Sequence, residues 1–286
     1  MAAIVKPTLQ FLLDWNRAPN LCVSADFLDV LRDFSATTRI GELAQGISYA
    51  FWKWERGYSW IADFGPWAAG LNPPYAGSKS PDFIMLNLLT NDIAIMESKG
   101  TGSACHKAPM RKALVQCKSA LAHIGVSRGF GSVLTLDSKT LTGAGTLHIR
   151  DPESSAELTD ELKHCVFLRS YASWFDLIGD EDRLTECRQR FSAESGASEN
   201  SQAANQKDDN SNNTLRDITA AAIGFDPART SYEIDSEIEV ALRDINAFKQ
   251  INWLQFSERM QMQMQLKSEQ KKIWFPDGTA IVERST

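Results

Sequence analysis

Ile40, Leu43, Ile47, Phe51 and Trp54 recur at three- and four-residue steps, so they share one face of a helix over about Thr38–Trp54. Upstream, Ser24 is placed to cap a short helix carrying Phe27, Val30 and Leu31. Tyr58–Phe64 reads as a strand, and Gly65–Ser80, rich in Gly, Pro and Ala, as a loop. Between Pro81 and Gly100, two apolar runs flank the polar turn Thr90-Asn91-Asp92, which predicts a β-hairpin. Pro109 opens a second long helix, as proline does in a first turn. Its stripe is Leu114, Cys117, Leu121 and Ile124, and Gly125 is its stop signal. Strands are expected at Gly131–Leu136 and Thr146–Arg150, then a helical stretch over Leu162–Arg190 broken at Gly179.

The pattern changes at Ala193. From there to Thr214 no large apolar side chain occurs. Such a segment buries too little surface to offset the entropy of ordering it, so it reads as a linker or a long exposed loop. A short strand at Ile218–Phe225 and a long polar helix at about Ser236–Lys267 follow. Two short strands around Pro276-Asp277-Gly278 close the chain. The pattern predicts a mixed α/β (α+β) domain over residues 1–192, a polar linker over 193–214, and an appendage of helix and hairpin over 215–286.

Composition narrows the function. The 286 residues are 43% hydrophobic, enough for a sizeable core. The net charge of −6 excludes nucleic-acid attraction by the protein as a whole and requires a local basic patch for any such role. The first residues lack a signal-peptide layout, and no 18 apolar residues run together. The expectation is a cytoplasmic protein without a membrane span; export by a machine that needs no cleavable signal would leave the same trace. The five scattered cysteines, with no C-x-x-C pair, fit neither a disulfide framework nor a zinc site and read as buried thiols. Trp52, Trp54, Trp60 and Trp67 read mostly as core, with room for an exposed one to stack on a base.

Candidate chemistry concentrates in the hairpin. Its second strand runs Ile93-Ala94-Ile95-Met96, apolar throughout, and then turns to Glu97-Ser98-Lys99. Four apolar residues in a row suit a central strand covered on both faces. Residues two apart on a strand share a face, so Glu97 and Lys99 project together. With the turn near Asn91, antiparallel pairing brings Asp82 roughly opposite Lys99. Two carboxylates and an ammonium then converge. Carboxylate oxygens suit Mg²⁺, with Mn²⁺ able to substitute, and a lysine beside such an ion stabilises charge developing on a phosphate.

Pro81-Asp82 followed after fifteen residues by Glu97-Ser98-Lys99 resembles the signature of the PD-(D/E)xK nuclease superfamily, whose fold is restriction-endonuclease-like. The order helix, strand, hairpin, helix, strand over residues 38–137 resembles that core as well. The resemblance implies a central mixed sheet flanked by helices. It implies that Asp82 and Glu97 are metal ligands and Lys99 the catalytic lysine. Glu42 corresponds to the extra acid that many members carry on the first helix, as a further metal ligand. Gln116 corresponds to a polar position near the site in some branches.

Independently of that motif, no acidic residue falls between Glu97 and Asp137, while Lys99, Lys107, Arg111, Lys112, Lys118 and Arg128, with His106 and His123, all do. A basic surface beside a metal site serves a phosphate backbone. Lys112, Gln116 and His123 fall near one helix face, and the two histidines read as surface or phosphate-contact residues. The expected activity is a Mg²⁺-dependent nuclease, with DNA favoured over RNA as partner. Defence against foreign DNA, repair or a delivered antibacterial toxin are settings that fit. The alternative is a fold kept as a binding module, with a protein partner or a dimer formed through 215–286.

Overall fold

The computed structural model of the chain describes residues 33–71, 74–75, 77, 79–124, 126, 128–136, 145–151, 159–195, 230–265 and 272–283. The architecture is mixed α/β. In order, the elements are α1 (Asp33–Trp54), β1 (Trp60–Asp63), α2 (Phe64–Ala69), β2 (Phe83–Asn87), β3 (Asp92–Thr101), α3 (Lys107–Ile124), β4 (Arg128–Thr135) and β5 (Thr146–Arg150). They continue with α4 (Asp160–Ile178), α5 (Glu181–Ser195), β6 (Thr230–Ile234), α6 (Ser236–Ala241), α7 (Ile245–Gln250), α8 (Trp253–Gln265), β7 (Lys272–Trp274) and β8 (Thr279–Glu283). Strands β1-β2-β3-β4-β5 form one sheet in that order, and β6-β8-β7 a second. The chain divides into two compact units, each discontinuous in sequence. One comprises Met1–Phe51, Ala76–Phe83 and Ala94–Glu157; the other comprises Trp52–Tyr75, Ile84–Ile93 and Leu158–Thr286.

In the first unit β3 runs parallel to β4, and β4 antiparallel to β5, so the sheet is mixed. A parallel pair needs a crossover, and α3 supplies it. Helices cover both faces. On one, a Cβ added at Gly100 of β3 would lie 2.4 Å from the carbonyl oxygen of Ile40, so α1 rests its backbone on the strand. The Ser48 hydroxyl of α1 meets that of Ser132 in β4 at 2.7 Å. On the other face, Gly129 and Gly131 of β4 admit Cys117 and Met110 of α3 at distances that a side chain would close off. The buried face of α3 is Met110, Ala113, Cys117 and Ala120. It is rotated from the expected stripe, because the glycine-bearing strand draws in the small residues and leaves Leu114, Leu121 and Ile124 half-buried at the flanks.

In the second unit α4 packs on β1, and Trp60 anchors an aromatic core with Phe167, Trp253 and Phe256. Thr159 caps α4 by accepting from the Leu162 amide, and Gly179 ends it in the left-handed region at φ 75°. The terminal Pro-Asp-Gly hairpin forms as predicted. Asp277 Oδ1 accepts from the Thr279 amide and hydroxyl, and its Oδ2 takes Lys53 Nζ at 2.6 Å. The Tyr171 hydroxyl donates to the Asp277 carbonyl.

Several expectations are corrected. The helix predicted over Ser236–Lys267 is three helices, α6, α7 and α8. The Asp244 side chain accepts from the Asn246 amide, Ile251 is extended, and Asn252 accepts from the Gln255 amide, so each polar side chain restarts the helix after a break. The predicted loop at Gly65–Ser80 opens with α2, which buries Phe64, Trp67 and Ala68 at helical spacing. The helix containing Pro109 begins two residues earlier, at Lys107. Residues 193–195, expected in the linker, complete α5. Cys117, Cys165 and Cys187 are buried as expected, but Cys105 is exposed. The helix capped by Ser24, Cys22, Gly125, most of the 193–214 linker and the strand at Ile218–Phe225 lie outside the described residues.

Candidate active site

Strand β3 carries the site because its register leaves the polar residues at the end of a dry run. Ile93–Met96 are fully buried, and Glu97 follows at 1% exposure. Ile95, Glu97 and Lys99 point to the α3 side, since Ile95 and Cys117 both crowd the position above Gly129. Glu97 Oε1 accepts from Lys99 Nζ, and the lysine side chain is about one-third exposed. Among the described residues Glu97 Oε2 is buried with no hydrogen-bond partner. A carboxylate so placed resists ionisation. Burial, and next the charge of Asp82, raise its pKa from 4.5 to about 7, with Lys99 offsetting part of the rise. Beside it, burial and the charge of Glu97 push the Cys117 thiol up to about 12, so this cysteine stays protonated and unreactive.

Asp82 sits just before β2. Pro81 has no N–H to extend the ladder, and the strand starts at Phe83. Where the backbone pairing stops, the Asp82 carboxylate takes over: Oδ2 accepts from the Ser98 amide at 2.8 Å and the Ser98 hydroxyl at 2.9 Å. Oδ1 accepts from Gln45 Nε2 of α1 at 3.1 Å. The sequence expectation put Asp82 roughly opposite Lys99; its carboxylate is bonded to the neighbouring Ser98. Asp82 lies close enough to Glu97 for its charge to raise the Glu97 pKa, with a backbone hydrogen bond from Asp82 acting the other way.

Glu42 is not brought to this group. Its carboxylate pairs with Arg39 at 2.8 Å on the surface of α1, one turn before Gln45. The polar residue of α1 that reaches Asp82 is Gln45, and the sequence reading missed both it and Ser98. The spacing from Glu42 to Gln45 is one helical turn, and Ser98 is the middle residue of the Glu-Ser-Lys triplet, but only the strand register identifies either as a partner. Gln116 does approach the site: its Nε2 donates to the Ser80 carbonyl at 3.2 Å, two residues before Asp82.

The basic residues of α3 divide. At 3.6 residues per turn, Lys107, Arg111 and Lys118 fall within about 40° of one another on one flank. Lys112 falls on the other flank with Gln116 and His123. All four basic side chains are exposed. Arg128, also exposed, pairs with Ala94 at the start of β4, three residues before the position beside Glu97. His106 stacks on His148 of β5 at 3.8 Å between ring centroids, and His123 is exposed with Nδ1 2.8 Å from the Ser119 carbonyl. Trp52, Trp60 and Trp67 are core, while Trp54 is half-exposed.

No family model, curated protein or solved structure matches this chain. Among the described residues no helix is long and apolar enough to cross a membrane.

Proposed function

We propose that the chain is a metal-dependent phosphodiesterase of the PD-(D/E)xK kind that hydrolyses nucleic acid, DNA in preference to RNA. The observation that supports this most is Glu97 Oε2, an acidic oxygen buried without a partner among the described residues, beside Asp82 and a reachable Lys99. Such an atom costs stability unless something outside the chain completes it. A hard divalent cation fits: Asp82 and Glu97 would hold it, Mg²⁺ natively and Mn²⁺ in its place. When bound, the ion supplies Lewis-acid polarisation of the phosphate and a source of nucleophilic water.

The protein's own groups do the rest. Glu97 gives up its proton when a positive partner arrives, because burial and Asp82 are what keep it neutral. Lys99 then turns from Glu97 toward the phosphate oxygens and neutralises charge that develops there. Lys112, on the flank of α3 that Gln116 ties to the Asp82 strand entry, meets the backbone beside the scissile bond. Lys107, Arg111 and Lys118 form a second contact line along the helix.

A second reading, a nuclease-like fold kept as a binding module, is favoured by one observation. Among the described residues no group of three or more His, Cys, Asp or Glu is arranged to hold a metal. One experiment separates the two. Plasmid, linear duplex, single-stranded DNA and RNA are incubated with the protein and Mg²⁺, Mn²⁺ or chelator, alongside Asp82→Ala and Lys99→Ala. Metal-dependent cleavage of DNA by the parent, lost in both variants, is expected. DNA binding without cleavage under every metal condition supports the binding module.

A further inference from the structure

A carboxylate has about four lone-pair sites, two on each oxygen. In Asp82 three are taken: both on Oδ2, by the amide and hydroxyl of Ser98, and one on Oδ1, by Gln45. The amide of Ser98 is fixed by the strand, so on its own it sets where Oδ2 lies and leaves the carboxylate plane able to turn about that anchor. Among the described residues Gln45 is the one partner of Oδ1, and it stops the turn from the other side of the carboxylate. It comes from a different element, α1, whose backbone is held against β3 by the Ile40–Gly100 contact and by the Ser48–Ser132 hydroxyl pair. A rigid helix therefore dictates the orientation of a side chain attached to the loop before β2. Among the described residues the remaining lone pair of Oδ1, the second lone pair of Glu97 Oε1 and the unpartnered Glu97 Oε2 are then the acceptor positions the acid pair keeps open.

We infer that Gln45 is a positioning residue: through its hydrogen bond to Oδ1 it holds the Asp82 carboxylate in the orientation that receives a divalent cation together with Glu97. The inference rests on the catalytic reading above. It gives a neutral amide the place on α1 that Glu42 was expected to fill. An amide suits the place, because a carboxylate at 45 would face Asp82 with like charge and accept where a donor is needed. Partners that orient a metal-binding carboxylate without touching the metal are worth 10- to 100-fold in affinity.

The test is Mn²⁺ binding to the intact protein without nucleic acid, followed by calorimetry and by the paramagnetic resonance signal of free Mn²⁺. It compares the parent, Gln45→Met, Gln45→Ala and Asp82→Ala. Gln45→Met keeps the length and packing of the side chain but lacks the N–H. Both Gln45 variants should bind Mn²⁺ 10- to 100-fold more weakly than the parent, with thermal midpoints in chelator unchanged for Gln45→Met. Parent-like affinity in Gln45→Met overturns the positioning role and leaves the metal site standing. A parent that binds no Mn²⁺ at millimolar concentration overturns the catalytic reading and this inference with it.

Discussion

At the scale of single residues the molecule sets an expensive group where it can be used. Glu97 is ionised at neutral pH only against burial and a neighbouring negative charge. Its folded pKa, about 7, exceeds the unfolded value of 4.5, so the folded state binds the proton more tightly. Below pH 4.5 the group is neutral in both states and contributes no pH dependence. As pH rises from 4.5 to 7 stability falls, and above 7 the full cost, about 3 kcal/mol, is present. Glu97→Gln keeps an acceptor for Lys99 and removes this dependence. In chelator, the variant should melt above the parent at pH 8 and level with it at pH 5, read by calorimetry at both pH values. Added Mn²⁺ should raise the parent's midpoint at pH 8 and leave the variant's unchanged. A parent that is equally stable at pH 5 and pH 8 would contradict the burial assigned to this carboxylate. The sequence exposed the Glu-x-Lys pair because an apolar strand ending in two charges on one face is a pattern of period two. It could not expose Gln45 or Ser98, whose parts depend on where α1 and β2 stop relative to β3.

At the scale of elements, α1 buries Ile40, Leu43 and Ala44, and a close backbone contact fixes where it sits. The added Cβ of Gly100 would meet the carbonyl oxygen and carbonyl carbon of Ile40 at 2.4 and 2.7 Å, both backbone atoms. The helix must move for any side chain to enter. Gly100→Ala should destabilise by about 1–3 kcal/mol, the cost of overpacking a site that cannot yield. It should also weaken Mn²⁺ binding, since α1 carries Gln45. Gly131→Ala is the control: its Cβ would meet Met110 Sδ, the flexible end of a side chain, and it should cost less. Urea unfolding of both variants decides the order, and a larger loss for Gly131→Ala would count against the backbone contact. Long apolar periods in the sequence mark where α1, β3, α3 and α4 lie. The region 236–265 misled because its apolar spacing continues through Asp244 and Asn252, whose side chains bond to the backbone and interrupt the helix. Periodicity registers faces, and it is blind to a cap within them. The terminal hairpin was legible from Pro-Asp-Gly alone, but the burial of Asp277 against Lys53, 224 residues away, was not. Asp277→Ala removes the buried bond to Lys53 and both bonds to Thr279, and should cost about 1–3 kcal/mol in urea unfolding.

At the scale of the whole molecule the governing fact is charge. A chain of net charge −6 repels a polyanion at long range, and the acid-free window from Ser98 to Leu136 must overcome that repulsion locally. The division of α3 into two flanks gives the basic residues unequal parts. If Lys107, Arg111 and Lys118 track the phosphate backbone, each contact releases counterions, and the logarithm of affinity falls with the logarithm of salt by about 0.9 per contact. Replacing Arg111 and Lys118 by glutamine should therefore flatten the salt slope by close to two units for duplex DNA, with Mn²⁺ affinity intact. Replacing Lys112 should change the slope by about one and lower the cleavage rate disproportionately, because it shares the flank of Gln116 beside the Asp82 strand entry. Binding isotherms at four salt concentrations, with cleavage rates at saturating DNA, resolve the two effects. Equal slopes for the parent and both variants would mean that DNA does not lie along α3. The acidic pair would then have to draw its substrate by another surface, which a protein of this net charge has little means to provide.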